Sequence, residues 1–422
     1  MKKQLFLIAL LAIIGLSTCL PTGSVNAQTA YITNYGDNTI SVINVSTNTV
    51  IDTIQVGIHP TGISVSSDGS KAFVSNDGAT TISVISTATN TVSATITVGN
   101  TPGGISVSPD GSKLYVVNIL SDSVSVINTS TNVVSTKIKV GNYPEGIAVS
   151  PNGNTVYVAN YNDNTVNVIN TATNTVSDTI KVGVGPYGIA VNPNGNNVYV
   201  TNSADSTVNI INTANNTVTD TIKVGAYPIA VSVSPNGSKI YVSNTNDSTV
   251  SVINSTTRNV AATIKVGAGP EGISVSPDGN KVYVANYNDN TVSVINSTTN
   301  SVSDTISVGV GPDAFGNFIS TYPIITGIAP QSLMSTDMEV YPNPANEEIQ
   351  VISEQSTVNS VEIYNILGEK VYQSLVTSHS LSGISLMANV PMTINVADFP
   401  KGVYFITLTT EEGKAVKKFV KE

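Results

Sequence analysis

One cysteine, two histidines and no tryptophan occur in 422 residues. That scarcity excludes a zinc site built from Cys and His ligands, and it leaves Cys19 without a disulfide partner in the chain. Charge is sparse as well: 11% of residues are charged, and 18 Lys and Arg stand against 28 Asp and Glu for a net charge of -10. Nucleic-acid binding rests on a basic surface, so this balance argues against a nucleic-acid partner. The longest apolar run, Leu5 to Leu16, falls short of the about 20 residues that span a bilayer. What fills the chain instead is Ser, Thr, Asn, Val and Ile, over a length expected to hold two or three domains.

Lys2 and Lys3, the Leu5–Leu16 run and the small-residue end Val25-Asn26-Ala27 follow the order of a secretory signal peptide, residues 1–27. A lipid-anchored alternative would use Cys19, but Thr18 is a poor residue to precede a lipidated cysteine. Cleavage after Ala27 leaves a mature chain with no cysteine, whose stability in an oxidising compartment must come from burial and strand pairing.

From Ala30 the sequence repeats every 42 residues without insertion, in seven blocks that begin at Ala30, Ala72, Leu114, Val156, Val198, Ile240 and Val282. The second residue of each block is aromatic and is followed three positions later by Asn, as in Tyr31 to Asn34 and Tyr157 to Asn160. Within the block from Val156, short runs rich in Val, Ile and Thr alternate with the turn sequences Tyr161-Asn162-Asp163-Asn164, Thr171 to Asn174, Gly183 to Gly188 and Pro193-Asn194-Gly195. Four short strands per repeat at a period near 40 predict a propeller blade. No stretch keeps apolar residues at helical spacing.

The Pro-Asp/Asn-Gly hairpin joins the end of one block to the start of the next, so each block supplies the inner strand of the following blade and the first blade lacks one. Phe315 to Ser320 departs from the repeat and is expected to fill that place beside Tyr31 to Asn34, closing the ring and removing an exposed edge. The predicted fold is therefore all-β: a seven-bladed β-propeller over residues 28–323, a linker at 324–337 and a small β-sandwich at 338–422.

Tyr199-Val200-Thr201-Asn202, the Val-Gly-x-x-Pro loop and Ser-Pro-Asp/Asn-Gly recur in register, and on these residues the repeats resemble the YVTN-type β-propeller. That family includes prokaryotic surface proteins, and related propellers include lactonases, lyases and redox enzymes, so the resemblance implies a fold and not an activity. In the tail, Tyr341-Pro342-Asn343-Pro344, Leu367 to Val371, Gly402-Val403-Tyr404 and Lys417 to Lys421 resemble the C-terminal sorting domain of Bacteroidetes type IX secretion cargo. The resemblance implies that residues 338–422 are an address read by the type IX machinery, and that the propeller is cargo routed through the periplasm to the cell surface or beyond.

The loops from second to third strand and from outer to inner strand share one face. Just after the loop proline, at the channel mouth, the blocks carry Thr61, Gly103, Glu145, Tyr187, Ile229, Glu271 and Asp313. Glu271 and Asp313 fall in adjacent blades, where two carboxylates could hold a cation or share a proton; without an Asp-rich calcium loop they read as solvated rim charges, and no metal site is expected. Asp37, Asp163, Asp205, Asp247 and Asp289 are expected to bond backbone within their own turns. Tyr35, Tyr161 and Tyr287 begin the second-to-third loops, and Tyr143, Tyr187 and Tyr227 lie in the outer-to-inner loops; with Glu145, Glu271 and Asp313 they form the candidate binding face for a glycan or protein.

Catalytic signals are thin. His59 is the one imidazole in the propeller, His379 lies in the tail, and neither a nucleophile elbow nor a phosphate loop accompanies them. The regular repeats favour a non-catalytic surface binding, adhesion or structural protein without a cofactor; the alternative is a lactonase-like hydrolase or lyase using the mouth acids. Asp-Thr-Ile recurs at Thr53, Thr179, Thr221 and Thr305 and resembles the Bacteroidetes O-glycosylation acceptor, although an outer strand also needs this alternation for packing.

Overall fold

The computed structural model describes residues 28–320, 338–353, 358–365, 370–375, 392–410 and 414–422. The leader with Cys19, the linker at 324–337, Leu367-Gly368-Glu369 and His379 lie outside the described residues. The chain divides into two compact units, one up to Thr326 and one from Gly327.

The first unit is a ring of seven antiparallel sheets. Blade 4 is representative: an inner strand Pro144–Val149, then Thr155–Asn160, Thr165–Asn170 and the outer strand Thr175–Lys181, hydrogen-bonded in that order. Neighbouring blades stack face to face, so the two middle strands are covered on both sides and read as continuous apolar runs. Tyr115, Val124, Val126 and Ile138 of blade 3 thus share one core with Ile147, Val156, Val158 and Ile169 of blade 4. The outer strand faces water, and of Thr175–Lys181 only Ile180 is buried. Each such Val or Ile withdrawn from water contributes about 2 kcal/mol, and seven repeats of the same interface make the ring.

Short polar motifs set the turns. In the hairpin after the inner strand, Asn152 accepts from the Ser150 hydroxyl at 2.7 Å and from the Asn154 amide at 3.0 Å, while Gly153 takes φ +74°. Between third and outer strands, Asn170 accepts the amides of Ala172 and Thr173, and Asn174 adopts φ +54°. Blades are also tied directly. Lys71 donates to the Thr129 carbonyl, Lys113 to Thr171, Lys239 to Ser297 and Lys281 to Val45, each reaching into the next blade.

Blade 1 supplies the strands Thr29–Asn34, Thr39–Asn44 and Thr49–Gln55 from the start of the propeller, and its inner edge comes from the last repeat. The closing segment differs from the sequence expectation in detail. Asp313 donates to Thr33 and bridges join Pro312 to Asn34 and Ile319 to Ala30, while Tyr31 donates to Phe318 and Ser320 to Thr29. Phe315 does not pair there. Its amide and carbonyl bond Thr61 and Ile63 of blade 2, because Ala314 (φ +52°) and Gly316 (φ +126°) swing the chain toward the channel. Gly316 is required at that point, since a Cβ would meet the Ile63 carbonyl oxygen.

The second unit is a small β-sandwich. Met338–Tyr341, Glu348–Ser353 and Met392–Asn395 form one sheet; Lys370–Leu375, Val358–Asn365, Gly402–Thr410 and Lys414–Lys421 form the other. Ile349, Val351 and Ile394 from the first share a core with Val361, Ile363, Tyr404, Ile406 and Phe419 from the second. The ends of this unit are bound together. Asn343 accepts from Val420 and donates to Lys418, Ala345 donates to Val420, and Glu422 donates to Ala345.

Candidate functional site

The residue after each loop proline is aimed by a bulge. In blade 4, Pro144 pairs with Asn160 and Ile147 with Val158, so Glu145 and Gly146 stand opposite a single residue, Ala159. The same shift recurs at each inner strand from blade 2 to blade 7. A bulge turns a side chain out of the sheet's alternation, here toward the channel. The glycine that follows lets the blades close up: a Cβ on Gly146 would collide with the Tyr187 carbonyl oxygen of blade 5.

Glu271 and Asp313, expected as solvated rim charges, are instead partly buried, and Glu145 is buried more deeply still. Glu145 is only 7% exposed, and the Tyr187 hydroxyl donates to it. Burial, reinforced by the negative charge of Asp77 and opposed by the Tyr187 bond, pushes its pKa up to about 8. Burial takes Glu271 to about 7. Asp313 is raised well above the ordinary carboxylate range, first by burial and then by Glu271, Asp77 and Glu145.

Asp77 was not anticipated. It occupies in blade 2 the loop position that Tyr35, Tyr161 and Tyr287 hold in theirs, so aligning the repeats on that column singles it out. Its Oδ1 is enclosed without a hydrogen-bond partner, and burial raises its pKa against the lowering influence of His59. His59 in turn stacks on Tyr35, with ring centroids 4.3 Å apart and planes 11° from parallel.

The tyrosines form a connected aromatic layer. Tyr143 lies 6.1 Å from Tyr161, Tyr161 meets Tyr187 edge-on at 6.2 Å, and Tyr161 and Tyr227 are joined through their hydroxyls. Tyr35 and Tyr287 stand 6.2 Å apart on the far side. Tyr187 also meets Phe315 edge-on at 5.5 Å. Phe315 sits on the closing segment where it bonds blade 2, and Tyr187 belongs to blade 5, so the contact crosses the channel. Tyr143 and Tyr227 keep 38% and 36% of their surface exposed, whereas Tyr35, Tyr161, Tyr187 and Tyr287 are half-buried.

A seven-fold position just before the loop proline adopts positive φ throughout: His59, Thr101, Tyr143, Gly185, Tyr227, Gly269 and Gly311, between +51° and +67°. Glycine suits this conformation, and the side chains at His59, Thr101, Tyr143 and Tyr227 are held there against local preference. Ile58, Leu120, Val184 and Val310 are exposed on the same face, Leu120 from a 3-10 turn at Ile119–Ser121. These loops contain acids in every blade and no Lys or Arg. Asp122 alone among those acids meets a lysine, Lys139, at 3.2 Å from the end of an outer strand.

Asp37, Asp163, Asp205, Asp247 and Asp289 are structural, but not through their own turns. They accept the amides of Val310, Asn142, Val184, Ala226 and Ala268, which lie in the loop entering the same blade. The Asp37 bond makes this tie across the ring closure. Of the candidate acceptors, Thr53, Thr179, Thr221 and Thr305 are all exposed. The preceding aspartates fasten adjacent blades: Asn90 donates to Asp52, Asn216 to Asp178 and Asn48 to Asp304, and Arg258 lies 3.9 Å from Asp220.

Residues 339–422 match the secretion system C-terminal sorting domain family. Residues 105–196 match the YNCE-like β-propeller family, and residues 170–311 the lactonase, 7-bladed β-propeller family. No curated protein matches the chain. Among solved structures, the hydrazine synthase of Kuenenia stuttgartiensis is similar at 22% identity and TM-score 0.59, over 64% of this chain and 92% of that one. A functionally unknown protein from Desulfotomaculum acetoxidans DSM 771 is similar at 20% identity and TM-score 0.61, over 70% and 98%. At these identities the likeness concerns the fold. The chain is a β-propeller protein with a C-terminal secretion sorting domain, exported by type IX secretion to the cell surface or outside.

Proposed function

We propose that the propeller is a non-catalytic recognition module, working at the cell surface or after release, that binds a glycan or protein through the channel-mouth face. The observation that carries this reading is the gathering of Tyr35, Tyr143, Tyr161, Tyr187, Tyr227 and Tyr287 with Glu145, Glu271 and Asp313 on one face, rimmed by exposed Ile58, Leu120, Val184 and Val310. Tyrosine gives rigid amphipathic contact area at low entropic cost, and contacts repeated around a ring add up. In this reading the leader takes the chain to the periplasm, residues 338–422 engage the type IX machinery, and the mature propeller spans 28–323. O-glycosylation at Thr53, Thr179, Thr221 and Thr305 on the exposed outer strands belongs to the same surface life.

A second reading, a hydrolase or lyase, is favoured by one feature: Glu145 and Glu271 titrate near neutrality, where a general acid or base works best. A glycan and protein array probed with the full chain, run beside a lactone and ester turnover screen, separates them. Capture without turnover supports recognition. Turnover abolished by Glu145→Gln or Glu271→Gln supports the enzyme.

A further inference from the structure

We propose that the mouth receives an organic ammonium group, the amine of a lysine side chain or of a small polyamine, between its tyrosine rings and its buried carboxyl groups. The inference rests on the reading that ligands enter at this face, and it adds the chemistry of the ligand. Tyr143, Tyr161, Tyr187 and Tyr227 supply ring faces and edges within 6.1 to 6.2 Å of one another or joined through hydroxyls, and such rings attract a cation over their faces.

The carboxyl groups carry the second half of the argument. Burying a carboxylate without a cation is costly, and chains normally supply one. Here Glu145 is nine-tenths buried, Asp77 keeps an enclosed oxygen with no hydrogen-bond partner, and the surrounding loops hold no Lys or Arg. His59, facing Asp77, is the one basic side chain on this face. A ligand cation would satisfy what the chain leaves open. Aromatic walls suit an organic cation better than a hard metal ion, and among the described residues no three His, Cys, Asp or Glu converge as a metal cage. The Phe315–Tyr187 contact crosses the channel beside these groups.

The groups facing Glu145 are Asp77, Asp313, Tyr143, Tyr187 and Tyr227; those facing Glu271 are Asp313, Tyr187, Tyr227 and Tyr287. Ionising Glu145 and Glu271 while the tyrosines stay neutral and the amine stays protonated strengthens binding as pH rises from 6 to about 8.5.

Calorimetry on the full chain tests this with 1,5-diaminopentane, N-acetyl-lysine methylamide, the neutral isostere 1,5-pentanediol and calcium chloride. The proposal expects either amine to bind, about tenfold or more tightly at pH 8.5 than at pH 6, more weakly with added salt, and the diol not at all. The tighter of the two amines identifies the source. Glu145→Gln and Asp77→Asn should each weaken amine binding about tenfold. Tyr143→Leu, on an exposed side chain, should weaken it too, and melting curves establish that each variant is folded. Equal binding of amine and diol, binding of calcium without amine, or indifference of all three folded variants would overturn the proposal. If array ligands bind the mouth and amines do not, only the ammonium assignment fails; if nothing binds the mouth, the recognition reading fails with it.

Discussion

Phe315 meets Tyr187 edge-on at 5.5 Å, joining the segment that closes the ring to the blade on the opposite side of the channel. Closure and site are therefore built from the same residues. The segment that ends the repeat seals blade 1 with Phe318 and Ile319, both buried, and meets Tyr187 of the mouth with Phe315.

Ending the chain after Gly311 should therefore cost far more than removing the tail. Loss of Phe318 alone forfeits about 3–5 kcal/mol of core packing, and the inner edge of blade 1 is left unpaired. Thermal melts should show a strongly lowered or non-cooperative transition for that truncation, and an unchanged propeller transition when residues 338–422 are removed. Equal melting of the two would contradict the closure.

The mouth acids make stability depend on pH in a definite direction. Glu145 binds its proton more tightly folded, at about 8, than a free glutamate does, so its contribution is complete below about pH 4 and is lost as pH rises through about 8. The loss is about 5 kcal/mol once the pH is above about 8. Glu145→Gln should remove it, melting higher than the parent at pH 9 and close to it at pH 5. A variant that instead loses stability at pH 9 would mean the native carboxylate is charged and satisfied.

Deleting Lys418 to Glu422 removes Phe419 from the sandwich core and frees Asn343 and Ala345 from their partners. The sorting motifs Tyr341 to Pro344 and Lys417 to Lys421 are thus one structural patch. Fractionation of a type IX competent host should find the shortened protein in the periplasm, with its propeller melting normally. Unimpaired export would refute the address.

Glycosylation at the Asp-Thr-Ile threonines should appear as intact mass above that of residues 28 onward, and Asp178→Asn should reduce it. A mass equal to the bare chain would leave the aspartates with the blade-to-blade bonds to Asn48, Asn90 and Asn216 as their whole role.

Much of this was legible in the sequence, for a physical reason. A 42-residue period without insertions fixes each turn chemically, as with Asn152 and Gly153, and one solved blade then describes all. In the tail, the alternation at 348–352, 361–366 and 403–409 marks the strands Glu348–Ser353, Val358–Asn365 and Gly402–Thr410, while the edge strands Met338–Tyr341, Lys370–Leu375, Met392–Asn395 and Lys414–Lys421 carry no comparable signal. At the site, sequence placed Glu145 at the mouth without showing that it is buried. Its burial depends on the bulge at Pro144 and on Tyr187 from the next blade, neither of which is a local pattern. Asp77 and Phe315 were missed as site residues because each replaces the repeat's usual residue and acts only in the assembled ring.

The central claim, recognition through the mouth face, is tested most directly on Tyr143 and Tyr227. Both sit at the left-handed position that Gly185, Gly269 and Gly311 occupy elsewhere, so Tyr143→Gly with Tyr227→Gly keeps the backbone and relieves its strain. Binding of the double variant to the ligand that the parent captures on the array should fall about tenfold or more, with the melting temperature unchanged or raised. Asp110→Ala, in a hairpin on the opposite face, should leave binding intact. Undiminished binding by the double variant, or loss of binding on the Asp110 change, would contradict the account.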